Sequence, residues 1–229
     1  MKEDDLTFYS VYMKFSYCSL FLVLLFSACK SPANSSGAGD TGVLIPLAVG
    51  NTWTSDEVVF FPDGSTKNDP NVTLAIEPVA RVSNGITFYF YDSTVYLSNR
   101  SDGVYATDPS LLFSQLYFKY PANIGDTFRS EHDTSFGVVF VHNKDSIVQG
   151  VSQFIVTGKD VPITVPAGTY SCLKYQTDWV DIHSGKSYSR NIEYFAPNVG
   201  EIMKEQYTID STNSLQLLTR SRLLKVTLH

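Results

Sequence analysis

The feature that most constrains the fold is a succession of short segments, rich in β-branched and aromatic residues, separated by turn sequences. The segment at residues 52–61 ends at Pro-Asp-Gly (62–64), and the segments at 71–82 and 86–91 flank Asn-Gly (84–85). Such dipeptides and tripeptides favour tight turns, and segments of this length and composition favour strands. The pattern predicts an all-β chain in which neighbouring strands run antiparallel.

The same reasoning predicts strands along the rest of the chain, at residues 94–98, 115–120, 136–142, 153–157, 170–183, 187–195, 201–210 and 215–228. Only residues 108–113 predict a brief helix. We therefore expect an antiparallel curled sheet, as a half-barrel or an open barrel or sandwich, with at most one short helix. The length of residues 43–229 suits a single β domain with an ordinary hydrophobic core.

One five-residue pattern occurs three times: a β-branched residue, a glycine, a polar residue, a β-branched residue and a large apolar residue. It centres on Gly50, Gly125 and Gly200, which are equally spaced along the chain. Glycine adopts positive φ values that other residues avoid. The pattern is interpreted either as a ligand-contacting loop used three times or as a repeated way to begin a strand. Its composition favours the second interpretation.

An apolar run without charges covers residues 15–28, and Lys14 precedes it. The run is too short for a helix across the roughly 30 Å hydrocarbon core of a bilayer, which takes about 20 residues. Its end, Leu-Phe-Ser-Ala-Cys (25–29), resembles a bacterial lipobox. The resemblance implies a signal peptide at residues 1–28, cleavage before Cys29 and lipidation of that cysteine. An ordinary secretory signal or a short buried helix is the alternative.

The first residues of the chain carry acidic side chains that do not suit a signal peptide, so we expect the true start at Met13, after residues 1–12. Residues 29–42 are rich in Ser, Gly and Asn, which predicts a flexible spacer behind the lipidated end. Lys30 stands where aspartate would mark retention in the inner membrane in enteric bacteria. The resemblance therefore implies an outer-membrane lipid anchor, and we expect the protein to face the periplasm.

Three further segments resemble parts of uncharacterised bacterial envelope lipoproteins: PLAVGNTW at 46–53, VPAGTY at 165–170 and APNVG at 196–200. Proteins of that family are thought to form a curled antiparallel sheet or half-barrel, similar to the lipoprotein-carrier fold. The resemblance implies no catalytic residue. The chain departs from the family at Glu201, where an apolar residue is more usual.

Side chains suited to catalysis or metal binding are few. Residues 131–133 and 181–183 each place a carboxylate near an imidazole, but neither has the spacing of a zinc site. Residues 63–69 are rich in oxygen ligands, but Lys67 interrupts them, which favours a turn over a calcium loop. Cys172 is expected to be a small buried hydrophobe. We predict no enzymatic activity, no metal and no cofactor, and the formal net charge of −6 argues against nucleic acid as a partner.

Aromatic side chains give the best functional indication. They occur on both faces of predicted strands, although a strand with one solvated face should alternate apolar and polar residues. The predicted ligand contacts are Phe88, Tyr89, Phe90, Tyr91, Tyr117 and Tyr120. They suit noncatalytic binding of an apolar or amphiphilic envelope component in a curved sheet. A second sheet or long loop over that face is the structural alternative, and a module that recognises an envelope protein or glycan is the competing function.

Overall fold

The computed structural model describes residues 42–92, 95–108, 110–111, 114–128, 134–141, 144–210 and 212–229. The predicted signal peptide, Cys29 and the spacer up to residue 41 lie outside the described residues, as do residues 131–133. The described residues form 14 strands and no helix, so the all-β prediction is confirmed.

The strands are β1 (Thr52–Phe60), β2 (Thr66–Ala75), β3 (Ala80–Ser83), β4 (Ile86–Asp92), β5 (Val95–Arg100), β6 (Gly103–Thr107), β7 (Ser114–Lys119), β8 (Thr127–Phe128), β9 (Thr134–Val141), β10 (Lys144–Val165), β11 (Gly168–Asp181), β12 (Ser187–Ala196), β13 (Gly200–Ile209) and β14 (Leu215–Thr227).

These strands form two antiparallel sheets. The large sheet has the order β2-β1-β14-β13-β12-β11-β10-β8, and β9 also pairs with β10. The small sheet has the order β3-β4-β5-β6-β7. Among the described strands neither sheet closes on itself, since β2 and β8 end one path and β3 and β7 end the other. Of the expected architectures, the open one is therefore observed.

Two segments differ from the secondary structure predicted for them. The strand expected at 71–82 is divided, because β2 ends at Ala75 in the large sheet and β3 begins at Ala80 in the small sheet. Pro78 lies in the crossing and cannot donate a backbone hydrogen bond to a sheet. Of residues 108–113, where a brief helix is predicted, the structure describes 108, 110 and 111, and there Leu111 N donates to Asp108 O in a turn.

The small sheet covers one face of the large sheet. Phe118 of β7 packs against Phe195 of β12 and Tyr175 of β11, with ring centroids 4.5 and 5.2 Å apart. Leu97 of β5 and Val104 of β6 are fully buried in the same core. A second sheet over the aromatic face is thus the arrangement that the structure shows.

The three glycines of the repeated pattern all have positive φ: 91° at Gly50, 90° at Gly125 and 103° at Gly200. Two of them make the same contacts, in which the glycine N–H donates to the carbonyl of a facing residue. The facing residue is Ile76 for Gly50 and Val156 for Gly125. Its N–H donates in turn to the carbonyl of the residue that follows the glycine. The interpretation of the pattern as a device for beginning strands is confirmed at these two positions.

Candidate ligand site between the two sheets

All six predicted ligand contacts are packed against other protein side chains, and for four of them this packing is the main feature of their surroundings. Phe88 and Tyr120 are buried, and Tyr89 is half-buried against the core. Phe90 packs on Tyr96 with ring centroids 4.9 Å apart. Packing within the protein accounts for the aromatic excess at these positions, and contact with a ligand stays a prediction for them.

The remaining two, Tyr91 of β4 and Tyr117 of β7, face charged side chains of the large sheet. Glu193 of β12 and Glu201 and Lys204 of β13 all interact electrostatically with Tyr91, and Lys204 also interacts with Tyr117. The structure thus brings two predicted residues together with three that were not predicted. We call these five residues the inter-sheet site.

The pairing of β12 with β13 positions the three charged residues. Glu193 lies directly opposite Lys204 in the register, and their Oε1 and Nζ atoms are 3.2 Å apart. Residues three apart on a regular strand point to opposite faces. A β-bulge interrupts this pairing: Phe195 pairs with Glu201, and Ile202 is the extra residue. The bulge shifts the alternation of side chains along β13, so Glu201 lies on the same face as Lys204.

The third glycine pattern fixes the aromatic side of the site. Trp53 Nε1 donates to Val199 O over 2.6 Å, which holds the indole against Gly200. Tyr91 packs edge-on against Trp53, with ring centroids 6.1 Å apart. The aromatic pair therefore lies beside the backbone that carries Glu201.

Burial dominates the electrostatics of Glu201. The pKa of Glu201 is raised to about 7, mainly because burial removes the carboxyl from water; the charge of Lys204 opposes this rise and the charge of Glu193 adds to it. The ion pair with Glu193 is the main reason that the pKa of Lys204 is raised. Burial raises the pKa of the Tyr91 hydroxyl well above its usual value.

Solvent nevertheless reaches the site. The Lys204 side chain is 30% exposed, whereas its partner Glu193 is 7% exposed. Glu201, Tyr91 and Tyr117 are half-buried. The charged groups of the site are therefore surrounded by protein on several sides without being sealed from solvent.

The chemistry of the site suits binding. A carboxyl with a pKa near neutrality can hold a proton, a cation or a hydrogen-bond donor, and the neighbouring rings offer apolar contact. Among the described residues, no group of three or more His, Cys, Asp and Glu side chains could hold a metal ion.

The other candidate side chains have structural roles. Cys172 is buried, and burial raises the pKa of its thiol to about 12, so the expectation of a small buried hydrophobe is confirmed. Asp181 accepts hydrogen bonds from the His183 N–H and the Ser184 hydroxyl. Asp63 accepts them from the N–H and the hydroxyl of Ser65, which confirms a turn at the start of residues 63–69.

A separate pocket of about 220 Å³ lies where residues 42–44 meet the ends of β5 and β6. Tyr120, one of the predicted ligand contacts, lines it together with Arg100. The Arg100 guanidinium stacks on the Tyr105 ring at 3.8 Å and donates to the Ser114 hydroxyl. The protein thus engages part of this guanidinium, while its Nε atom is buried with no hydrogen-bond partner among the described residues.

Comparison with known proteins gives one family model that matches part of the chain. Residues 116–218 match the DUF3108-like family model. A search of curated proteins gives no match. The described part of the chain contains no helix that could span a bilayer.

Two solved structures are similar. One is a candidate exported protein with a YmcC-like fold from Bacteroides fragilis, with 16% identity, a TM-score of 0.46, and coverage of 82% of this chain and 100% of that one. The other is a candidate lipoprotein from Parabacteroides distasonis, with 14% identity, a TM-score of 0.38, and coverage of 81% and 99%. Neither likeness assigns a ligand or a reaction to this chain.

Proposed function

We propose that this chain is a cell-envelope lipoprotein that binds an amphiphilic envelope component at the inter-sheet site and catalyses no reaction. The observation that carries the proposal is the meeting of an aromatic pair, Tyr91 and Trp53, with the charged groups of Glu201 and Lys204. An amphiphile requires an apolar and a polar surface side by side, and the site offers both.

The binding proposal is tested with the unlipidated mature chain, residues 29–229 carrying Cys29→Ser, produced in cells and examined by native mass spectrometry. We expect a co-purifying amphiphile on this protein and a reduced amount on the Tyr91→Leu variant. The Val82→Ala variant, which changes an exposed side chain of the small sheet, serves as the control. Repeated recovery of the protein without any bound species contradicts the proposal.

Anchoring by lipid is the second part of the proposal, supported by the Leu-Phe-Ser-Ala-Cys motif at 25–29 and by Lys30 after it. It implies an outer-membrane protein that faces the periplasm. We expect Cys29→Ala to abolish incorporation of labelled fatty acid and to release the protein from the membrane fraction. Cys172→Ala is the matched control, because that thiol is buried in the core. Labelling of the Cys29→Ala variant contradicts the anchor.

The competing function, recognition of an envelope protein or glycan, is favoured by a different observation. β2 is an edge strand of the large sheet whose first eight residues are exposed, and Phe61 before it and Val72 within it are 44% and 43% exposed. Exposed strand edges pair with extended segments of partner proteins. Site-specific cross-linking from Val72 to an envelope protein, combined with an empty inter-sheet site, would favour this function.

A further inference from the structure

We infer, resting on the proposed function, that the inter-sheet site selects amphiphiles whose head group carries a protonated amine, and that the Glu201 carboxylate receives this group. The inference concerns the polar end of the ligand only. It follows from the distribution of charge in the site and from the position of the aromatic pair beside it.

The charges of the site do not cancel. Lys204 is paired with Glu193 across β12 and β13, and this pair is internally neutral. Glu201 accepts no hydrogen bond within the described part of the chain and forms no ion pair there, so its ionised carboxylate gives the site a surplus of one negative charge. A desolvated carboxylate without a partner is costly, and a proton or a cation removes that cost.

The aromatic side chains extend the preference to organic cations. Tyr91 packs on Trp53, and both lie beside the strand that carries Glu201. An ammonium group is attracted to the faces of aromatic rings in addition to a carboxylate, and the attraction strengthens as water is excluded. A head group with phosphate alone would instead meet the surplus negative charge, because Lys204 is already bound to Glu193.

The proton competes with this ligand. The groups that interact with Glu201 are Glu193 and Lys204 from the large sheet and Tyr91 from the small sheet, and Tyr117 of the small sheet interacts with Tyr91 and Lys204. With the pKa of Glu201 at about 7, the carboxylate is mostly protonated at pH 6 and mostly ionised at pH 8. We therefore expect an amine-bearing amphiphile to bind about tenfold more weakly at pH 6 than at pH 8.

The test uses three probes with the same tail, namely dodecylammonium, dodecyl maltoside and dodecyl phosphate, each below its critical micelle concentration. Their dissociation constants for the unlipidated mature chain are measured by calorimetry at pH 8. We expect dodecylammonium to bind at least tenfold more tightly than the other two. Glu201→Gln should remove this preference, since the amide keeps the shape of the side chain but carries no negative charge.

Glu77→Gln is the matched control, because it removes one negative charge from an exposed position in the crossing between the sheets. The inference is overturned if Glu201→Gln still prefers dodecylammonium. It is also overturned if Glu77→Gln and Glu201→Gln lose this preference equally. Equal binding of all three probes to the unsubstituted chain overturns the inference but supports the proposed function. Failure of all three probes to bind contradicts the proposed function itself.

Discussion

A single side chain, Glu201, couples the stability of the protein to pH. Its pKa is about 7 when folded and close to 4.5 when exposed, so between these values the folded state holds a proton that the unfolded state has lost. The free energy of unfolding therefore falls as pH rises through this range, by on the order of 2 kcal/mol after allowance for solvent screening.

Urea unfolding at pH 5 and pH 7.5 measures this effect. The decrease in unfolding free energy should be larger for the unsubstituted protein than for Glu201→Gln, which has no proton to lose at this position. The difference between the two proteins removes the contribution of all other titrating groups. An identical pH dependence would show that the Glu201 carboxyl is hydrated as in the unfolded chain.

Gly200 is the position at which a methyl group should be tolerated least. Its φ of 103° is strained for any other residue, and a Cβ would lie 2.9 Å from Trp53 Nε1, an atom held by its hydrogen bond to Val199. We expect Gly200→Ala to cost about 2 to 4 kcal/mol in urea unfolding. Gly64→Ala shares the positive φ but meets no atom within 4 Å, so it should cost less by at least about 1 kcal/mol.

The sequence indicates part of the candidate site at the residue scale. Tyr91 and Tyr117 stand out as aromatic excess on predicted strands, and Glu201 stands out as a departure from the lipoproteins that the chain resembles. Glu193 and Lys204 carry no such signal, because a glutamate and a lysine are ordinary on a strand. Only the cross-strand register, which depends on the bulge at Ile202, brings them together with Glu201.

At the scale of elements, the sequence predicts the positions of turns well and the ends of strands poorly. Asn-Gly at 84–85 joins β3 to β4 as predicted. β10, in contrast, runs from Lys144 to Val165, far beyond the predicted 153–157. β10 has β-bulges near Gly158, and a bulged strand can bend and continue. The sequence pattern does not distinguish such a bend from the end of a strand.

Ion pairs that differ in burial should stabilise the protein unequally. Arg222 of β14 binds Asp56 of β1 through two nitrogens, and Asp56 is only 9% exposed. Arg222→Ala leaves this buried carboxylate unpaired, and we expect a loss of about 2 kcal/mol in unfolding free energy. Lys119→Ala disrupts the more exposed pair with Asp126 and should cost less than about 1 kcal/mol. Equal losses in the two variants would contradict this ranking.

The arrangement of the whole molecule is the level that the sequence predicts least. Alternation and turns indicate an antiparallel all-β chain, but the same signals fit a half-barrel, a barrel or two packed sheets. Which of these architectures forms depends on contacts between residues distant in sequence, such as the pairing of β1 with β14 and the packing of Phe118 on Phe195. Pro78, where the chain leaves the large sheet, is the local signal that could have indicated two sheets.

Because the two sheets share one core, they should unfold together. Phe118 of the small sheet is 2% exposed and contacts Tyr175 and Phe195 of the large sheet, so Phe118→Ala opens a cavity between the sheets. We expect a loss of about 3 to 5 kcal/mol, with tryptophan fluorescence and far-ultraviolet circular dichroism following a single transition. Phe61→Ala, at a side chain that is 44% exposed, should change the midpoint little. Two separate transitions in Phe118→Ala, with only one of them shifted, would mean that the sheets are stabilised independently of each other.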